Sequence, residues 1–272
     1  MKKKLIALLL LAAVVGSTGC AAQQASAPSA NAPASTGGTA AQEKAELTIA
    51  AASSLTNAFT EMGEAFEAAN GCTVTFSFGS TGTLSEQVTN GAPFDVFAAA
   101  NESDVTALDE KGLLLSDTVQ VYAMGRLGIA TLKAGGFEAA TMEDLTDPGI
   151  KVIAIANPEH APYGLAAKQA MESAGLWETL EPKLVYGKNI SETLSYLTTG
   201  NADAAFISLS LDDGETLDFH LVDADAHEPL RQAMAVVGNT GNEELARKFA
   251  EHVNSPQGQE LMGRHGFMAP GE

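Results

Sequence analysis

Four short stretches of this sequence concentrate hydrogen-bond donors: SSLT at 53–56, GSTGT at 79–83, NPEHAPYG at 157–164 and GKNIS at 187–191. Between them they hold one lysine, Lys188, and one carboxylate, Glu159. Hydroxyls, backbone N–H groups and helix N-termini suit a fully deprotonated oxyanion, which offers only acceptors and is repelled by a carboxylate. Each stretch also has a plainer reading. Ser53 and Ser54 fall where the apolar run LTIAAA hands over to an amphipathic pattern with Phe59, Met62, Gly63 and Phe66, and a serine there caps a helix. GSTGTL lacks the spacing of a nucleotide phosphate loop; it reads as a turn capped by Thr83, or as a nest of converging N–H groups. Tyr163, between Pro162 and Gly164, reads as a packed aromatic or as a side chain closing over a ligand.

Other chemistries find little support. No GxSxG elbow accompanies a nucleophile and base, so no catalytic residue is assigned and an enzyme is not expected. His160, His220, His227, His252 and His265 show no metal-ligand spacing, and His160 reads as a surface or loop-bracing residue. Asp203, Asp212 and Asp213 lack the calcium-loop ladder and read as solvated loop carboxylates. No metal ligand and no cofactor is expected.

The elements that must position these stretches are short strands alternating with amphipathic helices. LTIAAA (47–52) leads into a helix from about 55 to 69, and TVTFSF (73–78) leads through GSTGT into a second. DVFAAA (95–100), KVIAIAN (151–157) and KLVYG (183–187) are each followed by a helical pattern, and ADAAFISL (202–209) reads as a further strand. Gly71, Gly91, Gly112, Gly175 and Gly200 sit where helices stop. The pattern predicts an α/β fold of βαβ units around mostly parallel sheets, in which ligands bind where loops leave the carboxyl ends of strands.

The ends and the composition set further bounds. MKKKLIALLLLAAVVGSTGC has the charged start and short apolar run of a secretory signal, with residues 1–19 removed. GSTGC resembles a lipobox, which makes Cys20 the acylated residue of an extracytoplasmic lipoprotein anchored to the cell membrane; ordinary cleavage is the alternative. Residues 20–44 are small, uncharged for the most part and without period, as in a flexible linker. Loss of Lys2, Lys3 and Lys4 takes the formal charge from −19 to −22. Such a surface repels nucleic acid, which needs clustered Lys or Arg. With Cys20 acylated, Cys72 has no partner for a disulfide and is expected in packing.

Six ordered motifs give the chain a resemblance over 47 to about 268: AAASSLTNAF, SFGSTGTLSEQVTNGAPFDVFAAA, NPEHAPYGLAAKQAM, GKNISETLSYLTTGNADAAFISLS, PLRQAMAVV and SPQGQELMGRHGF. In these it resembles the molybdate-binding proteins of ABC importers, the ModA family of periplasmic binding proteins. The resemblance implies a two-lobed, type II periplasmic-binding-protein fold with the oxyanion in the interlobe cleft. Lobe I would comprise 45–123 and 235–272, and lobe II 124–234. It implies that a monomeric, lipid-anchored receptor captures molybdate or tungstate and docks on a membrane permease. Carried over residue by residue, the ligand contacts fall on the hydroxyls of Ser53 and Ser54, on Thr81 where serine is usual, and on backbone donors at Tyr163 and Ile190. The position of a tyrosine used by some members holds Ser208, so Tyr163 is expected to supply the missing hydroxyl, with Ser208 the weaker candidate. A receptor of the same fold for sulfate, thiosulfate or ferric ion is the alternative, and an enzyme on that fold a more distant one. Ferric receptors cluster tyrosines, and this chain has four: Tyr122, Tyr163, Tyr186 and Tyr196.

Overall fold

A computed structural model describes residues 44–271; the expected signal segment, Cys20 and almost all of the expected linker lie outside the described residues. In chain order the elements are β1 (Glu46–Ala52), α1 (Thr56–Asn70), β2 (Thr73–Gly79), α2 (Thr81–Thr89), β3 (Val96–Ala99), α3 (Glu102–Glu110), β4 (Gln120–Met124) and β5 (Leu127–Leu132). There follow β6 (Ile153–Ala156), α4 (Pro162–Ser173), α5 (Trp177–Leu180), β7 (Leu184–Gly187), α6 (Ile190–Thr198), β8 (Ala204–Ser208), β9 (Leu217–Leu221), β10 (Arg231–Val236), α7 (Glu243–Asn254) and α8 (Pro256–Arg264). None of the described helices is long and apolar enough to cross a membrane.

The strands form two five-stranded sheets, ordered β2-β1-β3-β10-β4 and β7-β6-β8-β5-β9. The two have one plan. Strands β1, β2 and β3 run parallel, as do β6, β7 and β8, and one strand in each sheet, β10 or β5, runs against its neighbours. The reversed strand is in each case the one arriving from the other sheet. The chain leaves the first sheet through Gly125 and Arg126 and returns through residues 222–230. The two crossings are tied by a hydrogen bond from Gly125 N to Leu230 O. The lobe boundary expected at 234 therefore falls inside β10, whose residues already pair with β3 and β4 of the first sheet. The return is complete before Arg231.

Side chains alternate across each sheet as the pleat requires. Leu47, Ile49 and Ala51 of β1 share a core with Phe59, Met62 and Phe66 of α1 and Phe249 of α7, whereas Ala50 packs with Leu84 of α2 and Val105 of α3. In the second sheet Ile153 and Ile155 face the side of Ala166 and Met171 of α4, and Ala154 faces that of Leu197 of α6. Cys72 is buried in the first core and burial pushes its thiol pKa up, in keeping with a packing role. Gly71, which ends α1, has φ of 65°, and the other four glycines expected as helix stops also have positive φ.

Two aspartates repeat the shared plan. Asp95, just before β3, accepts from Thr48 N of β1, from Thr240 Oγ1 and from the Asn242 side chain. Asp203, just before β8, accepts from Lys151 N and Val152 N ahead of β6. Asp203 is thus a strand brace rather than a solvated loop carboxylate, and no group of acidic, His or Cys side chains among the described residues is arranged to hold a metal. Replacing Asp95 by alanine strands the Thr48 N–H and two side chains in a largely buried site. Asp95→Ala is expected to lower unfolding stability by about 2–4 kcal/mol in a urea titration.

Candidate functional site

Four helices begin at the carboxyl ends of topologically matched strands: α1 after β1 and α2 after β2 in one lobe, α4 after β6 and α6 after β7 in the other. The turn that leads into α1 and the first residues of the other three meet around a small cavity between the lobes, lined by Ser53, Ser54, Ser80, Thr81, Tyr163 and Ile190, with small or apolar neighbours. Its volume is about 10 Å³, about the space that one water needs and far below the 300–1,000 Å³ or so of a site for a drug-sized molecule. None of the lining residues is an acid or a base of the Asp, Glu, His, Lys or Arg type.

Each corner reaches the cavity differently. After β1 the chain enters α1 through a 3-10 turn, Ser53–Leu55, and neither serine makes a side-chain cap. The capping role expected for Ser53 and Ser54 is therefore corrected: residues 52 and 55 occupy the cap positions, and the serines lie within the turn itself. Ser54 is fully buried, and its Oγ is the one buried side-chain oxygen or nitrogen among the described residues with no hydrogen-bond partner. At α2 the cap position is Ser80 rather than Thr83, and the two hydroxyls bond to each other at 2.8 Å. Thr81 Oγ1 accepts from Ala100 N at 3.0 Å, which leaves its hydroxyl proton to be given elsewhere.

In the second lobe Pro162 takes the first position of α4, where its missing N–H costs nothing, and Tyr163 follows with an N–H that the first turn cannot satisfy. Ile190 opens α6 and is likewise without a carbonyl one turn back, while Asn189 Oδ1 caps Glu192 N. Four N-terminal dipole ends of helices nine or more residues long are thus gathered at one point, each favouring negative charge by about 0.3–1 kcal/mol at a surface and more when buried.

Tyr163 is buried with its hydroxyl in a polar network behind the cavity. Gln232 Nε2 donates to Tyr163 Oη at 2.9 Å, and Tyr163 Oη lies 2.9 Å from Ser208 Oγ, the first link of a hydroxyl chain that runs through Ser210 Oγ to Ser54 O. Burial pushes the phenol up to about 12, and its contacts with Ser208, Gln232 and Ser54 temper the shift. The group stays protonated throughout the neutral range. Ser208 sits behind Tyr163 and does not line the cavity. Lys188 is exposed and pairs with Glu192 at 3.5 Å, and Glu159 is exposed as well, so neither charge of the four stretches faces the cavity.

The lobes meet at the rim. Gly82 N donates to His160 O at 2.8 Å, and His160 Nδ1 lies 2.9 Å from Ser80 Oγ. Across the cleft, Ser191 Oγ donates to Ser53 O and Ser210 Oγ to Ser54 O. A Cβ on Gly82 would stand 2.9 Å from His160 O, so only glycine allows this approach. His160 braces the loop, as expected, but across the lobes. Ser80 was within reach of sequence reading, inside GSTGT; Gln232, on a strand far along the chain and in no recognisable motif, was not.

Residues 47–268 match the family described as bacterial extracellular solute-binding protein. The molybdate-binding protein ModA of Rhodobacter capsulatus is 35% identical over 225 residues, covering 82% of this chain and 88% of that protein. The chain belongs to this family. The solved periplasmic molybdate-binding protein of Azotobacter vinelandii superposes with a TM-score of 0.78 at 27% identity, over 82% of this chain and 99% of the other. The sulfate-binding protein SubI of Mycobacterium tuberculosis shares the fold, with a TM-score of 0.71 at 16% identity over 84% of this chain and 88% of the other.

An unpaired buried hydroxyl carries a desolvation cost that alanine removes. Ser54→Ala is expected to leave the ligand-free protein as stable as the parent or more so, by up to about 1 kcal/mol in denaturant unfolding. A loss of more than about 2 kcal/mol would mean that the hydroxyl is bonded within the fold.

Proposed function

We propose that the protein is the extracytoplasmic receptor of an ABC importer, capturing molybdate, and tungstate with it, and delivering the ion to a membrane permease. The observation that carries this reading is the interlobe cavity lined by donors and free of charged side chains, with the Ser54 hydroxyl unpaired within it. The ModA relatives support the choice of ion. In this reading the hydroxyls of Ser53, Ser54 and Thr81 and the N–H groups of Tyr163 and Ile190 hold the ion, while the Tyr163 hydroxyl belongs to the polar network behind it. Charge-assisted hydrogen bonds of about 1.5–3 kcal/mol each offset the dehydration of the dianion.

Selectivity follows from the same lining. Hydrogen phosphate brings a proton that needs an acceptor, and no carboxylate is there to take it, whereas molybdate and tungstate bring acceptors alone. Sulfate also brings acceptors alone and differs from molybdate in its smaller size, so discrimination against it rests on how well the donors reach the smaller ion. The lobes close about the crossings at residues 125–126 and 222–230, which serve as the hinge. The leader pattern supports acylation of Cys20, with the segment that follows it as a tether, and the receptor acts as a monomer whose acidic surface meets the permease.

Calorimetric titration at neutral pH tests this reading. Molybdate and tungstate are expected to bind tightly and one to one, with sulfate and phosphate silent. Ser54→Ala and Thr81→Ala should each weaken molybdate binding by roughly 10- to 100-fold. No heat from any of the four ions would contradict the assignment of the cavity.

A further inference from the structure

We infer that a second cavity, beside the two crossings between the lobes, binds a free α-amino acid with an apolar side chain. The cavity measures about 640 Å³, inside the 300–1,000 Å³ or so of small-molecule sites. Both crossings line it, with Arg126 from the first and Asp223, Asp225 and His227 from the second. Its walls are apolar: Met124, Leu127, Leu221, Val222, Leu230 and Met268. Leu221, which ends β9, keeps 42% of its surface exposed. Backbone bonds hold these walls together. Met124 and Met268 pair as an isolated bridge, and Val222 N donates to Leu127 O at 3.0 Å.

The charges decide the class of ligand. Arg126 is half-buried and its carbonyl accepts from Leu209 N at 3.0 Å, but its guanidinium has no hydrogen bond or ion pair among the described residues. Asp223 and Asp225 are exposed and neither is ion-paired; Asp223 Oδ1 accepts from Asp225 N at 3.1 Å. His227 Nδ1 gives its proton to Glu228 O at 2.8 Å, so that Nε2 of the neutral ring is an acceptor. Charges of opposite sign thus share one cavity without meeting. A simple anion would satisfy Arg126 and be repelled by the two carboxylates, and a simple amine would meet the reverse. A zwitterion satisfies both: its carboxylate takes the fork of Arg126, its ammonium is left to the aspartates and His227, and an apolar side chain covers the methionines and leucines. The cavity shares no lining residue with the donor-lined one, so the inference stands apart from the oxyanion reading.

Calorimetric titration of the purified full chain with L-leucine tests this, beside 4-methylpentanoate, which lacks the ammonium, and 3-methylbutylamine, which lacks the carboxylate. Leucine is expected to bind one to one, and each analogue at least about tenfold more weakly. Arg126→Gln should weaken leucine binding roughly tenfold or more, and so should Asp223→Asn and Asp225→Asn together. The unfolding midpoint of each variant should stay within about 2 °C of the parent, because none of the three side chains is ion-paired in the fold. If Arg126→Gln does not fold, Arg126→Lys, which keeps the charge without the fork, makes the same comparison with a smaller loss. No heat from leucine, methionine or phenylalanine at about 10 mM would overturn the inference. Either analogue binding as tightly as leucine would overturn it as well, and so would leucine binding unchanged by Arg126→Gln.

Discussion

An oxyanion that leaves water for a protein interior must exchange its hydration shell for fixed donors, and the cavity described here supplies donors without a balancing charge among its lining residues. The field comes from backbone. Four helix N-termini, two from each lobe, converge there, α1 through the 3-10 turn that precedes it, and the N–H groups of Tyr163 and Ile190 have no carbonyl one turn back. Much of the remaining architecture follows from bringing those four ends to one point. Matched strands in two sheets of the same plan aim them, and small residues at the rim let the lobes approach closely enough to join the two pairs. A protein carrying a net charge of −19 can offer such a site because local dipoles act at contact distance, whereas surface carboxylates are screened over about 10 Å.

The two lobes solve one packing problem twice. In each, three parallel strands are followed by a reversed one that arrives from the other lobe, and in each an aspartate pins the strand beside the central one. Their differences concern function more than stability. The first lobe adds α7 and α8 to its outer layer, and the second contributes a buried tyrosine whose hydroxyl is held from both lobes.

Much of this was legible in the sequence because strand-to-helix transitions announce themselves. LTIAAA followed by the Phe59, Met62 and Phe66 spacing changes period from two to 3.6 residues, and so do the runs that became β2, β6 and β7. The polar stretches at those transitions were visible for the same reason, and Ser53, Ser54, Thr81, Tyr163 and Ile190 do meet at one cavity. The strands β4, β5, β9 and β10 were not legible individually, since none is followed by a helix at once and the first crossing is only two residues long. That gap moved the expected lobe boundary to 234, inside β10. The serine caps were misjudged because a 3-10 turn intervenes between β1 and α1, and no local pattern distinguishes a serine within such a turn from one at its start. Gln232 lay beyond sequence reasoning altogether: a polar residue in an apolar strand shows its purpose only when its partners across the cleft are known.

The central claim is that the donors of both lobes surround one oxyanion at the meeting point of the four helix N-termini. Tungstate, with its strong anomalous scattering, allows the most direct measurement: a crystal structure of the protein grown with tungstate. The account predicts a single anomalous peak enclosed by Ser53, Ser54, Thr81, Tyr163 and Ile190. A peak elsewhere, or a peak in the cleft touching one lobe only, would contradict it.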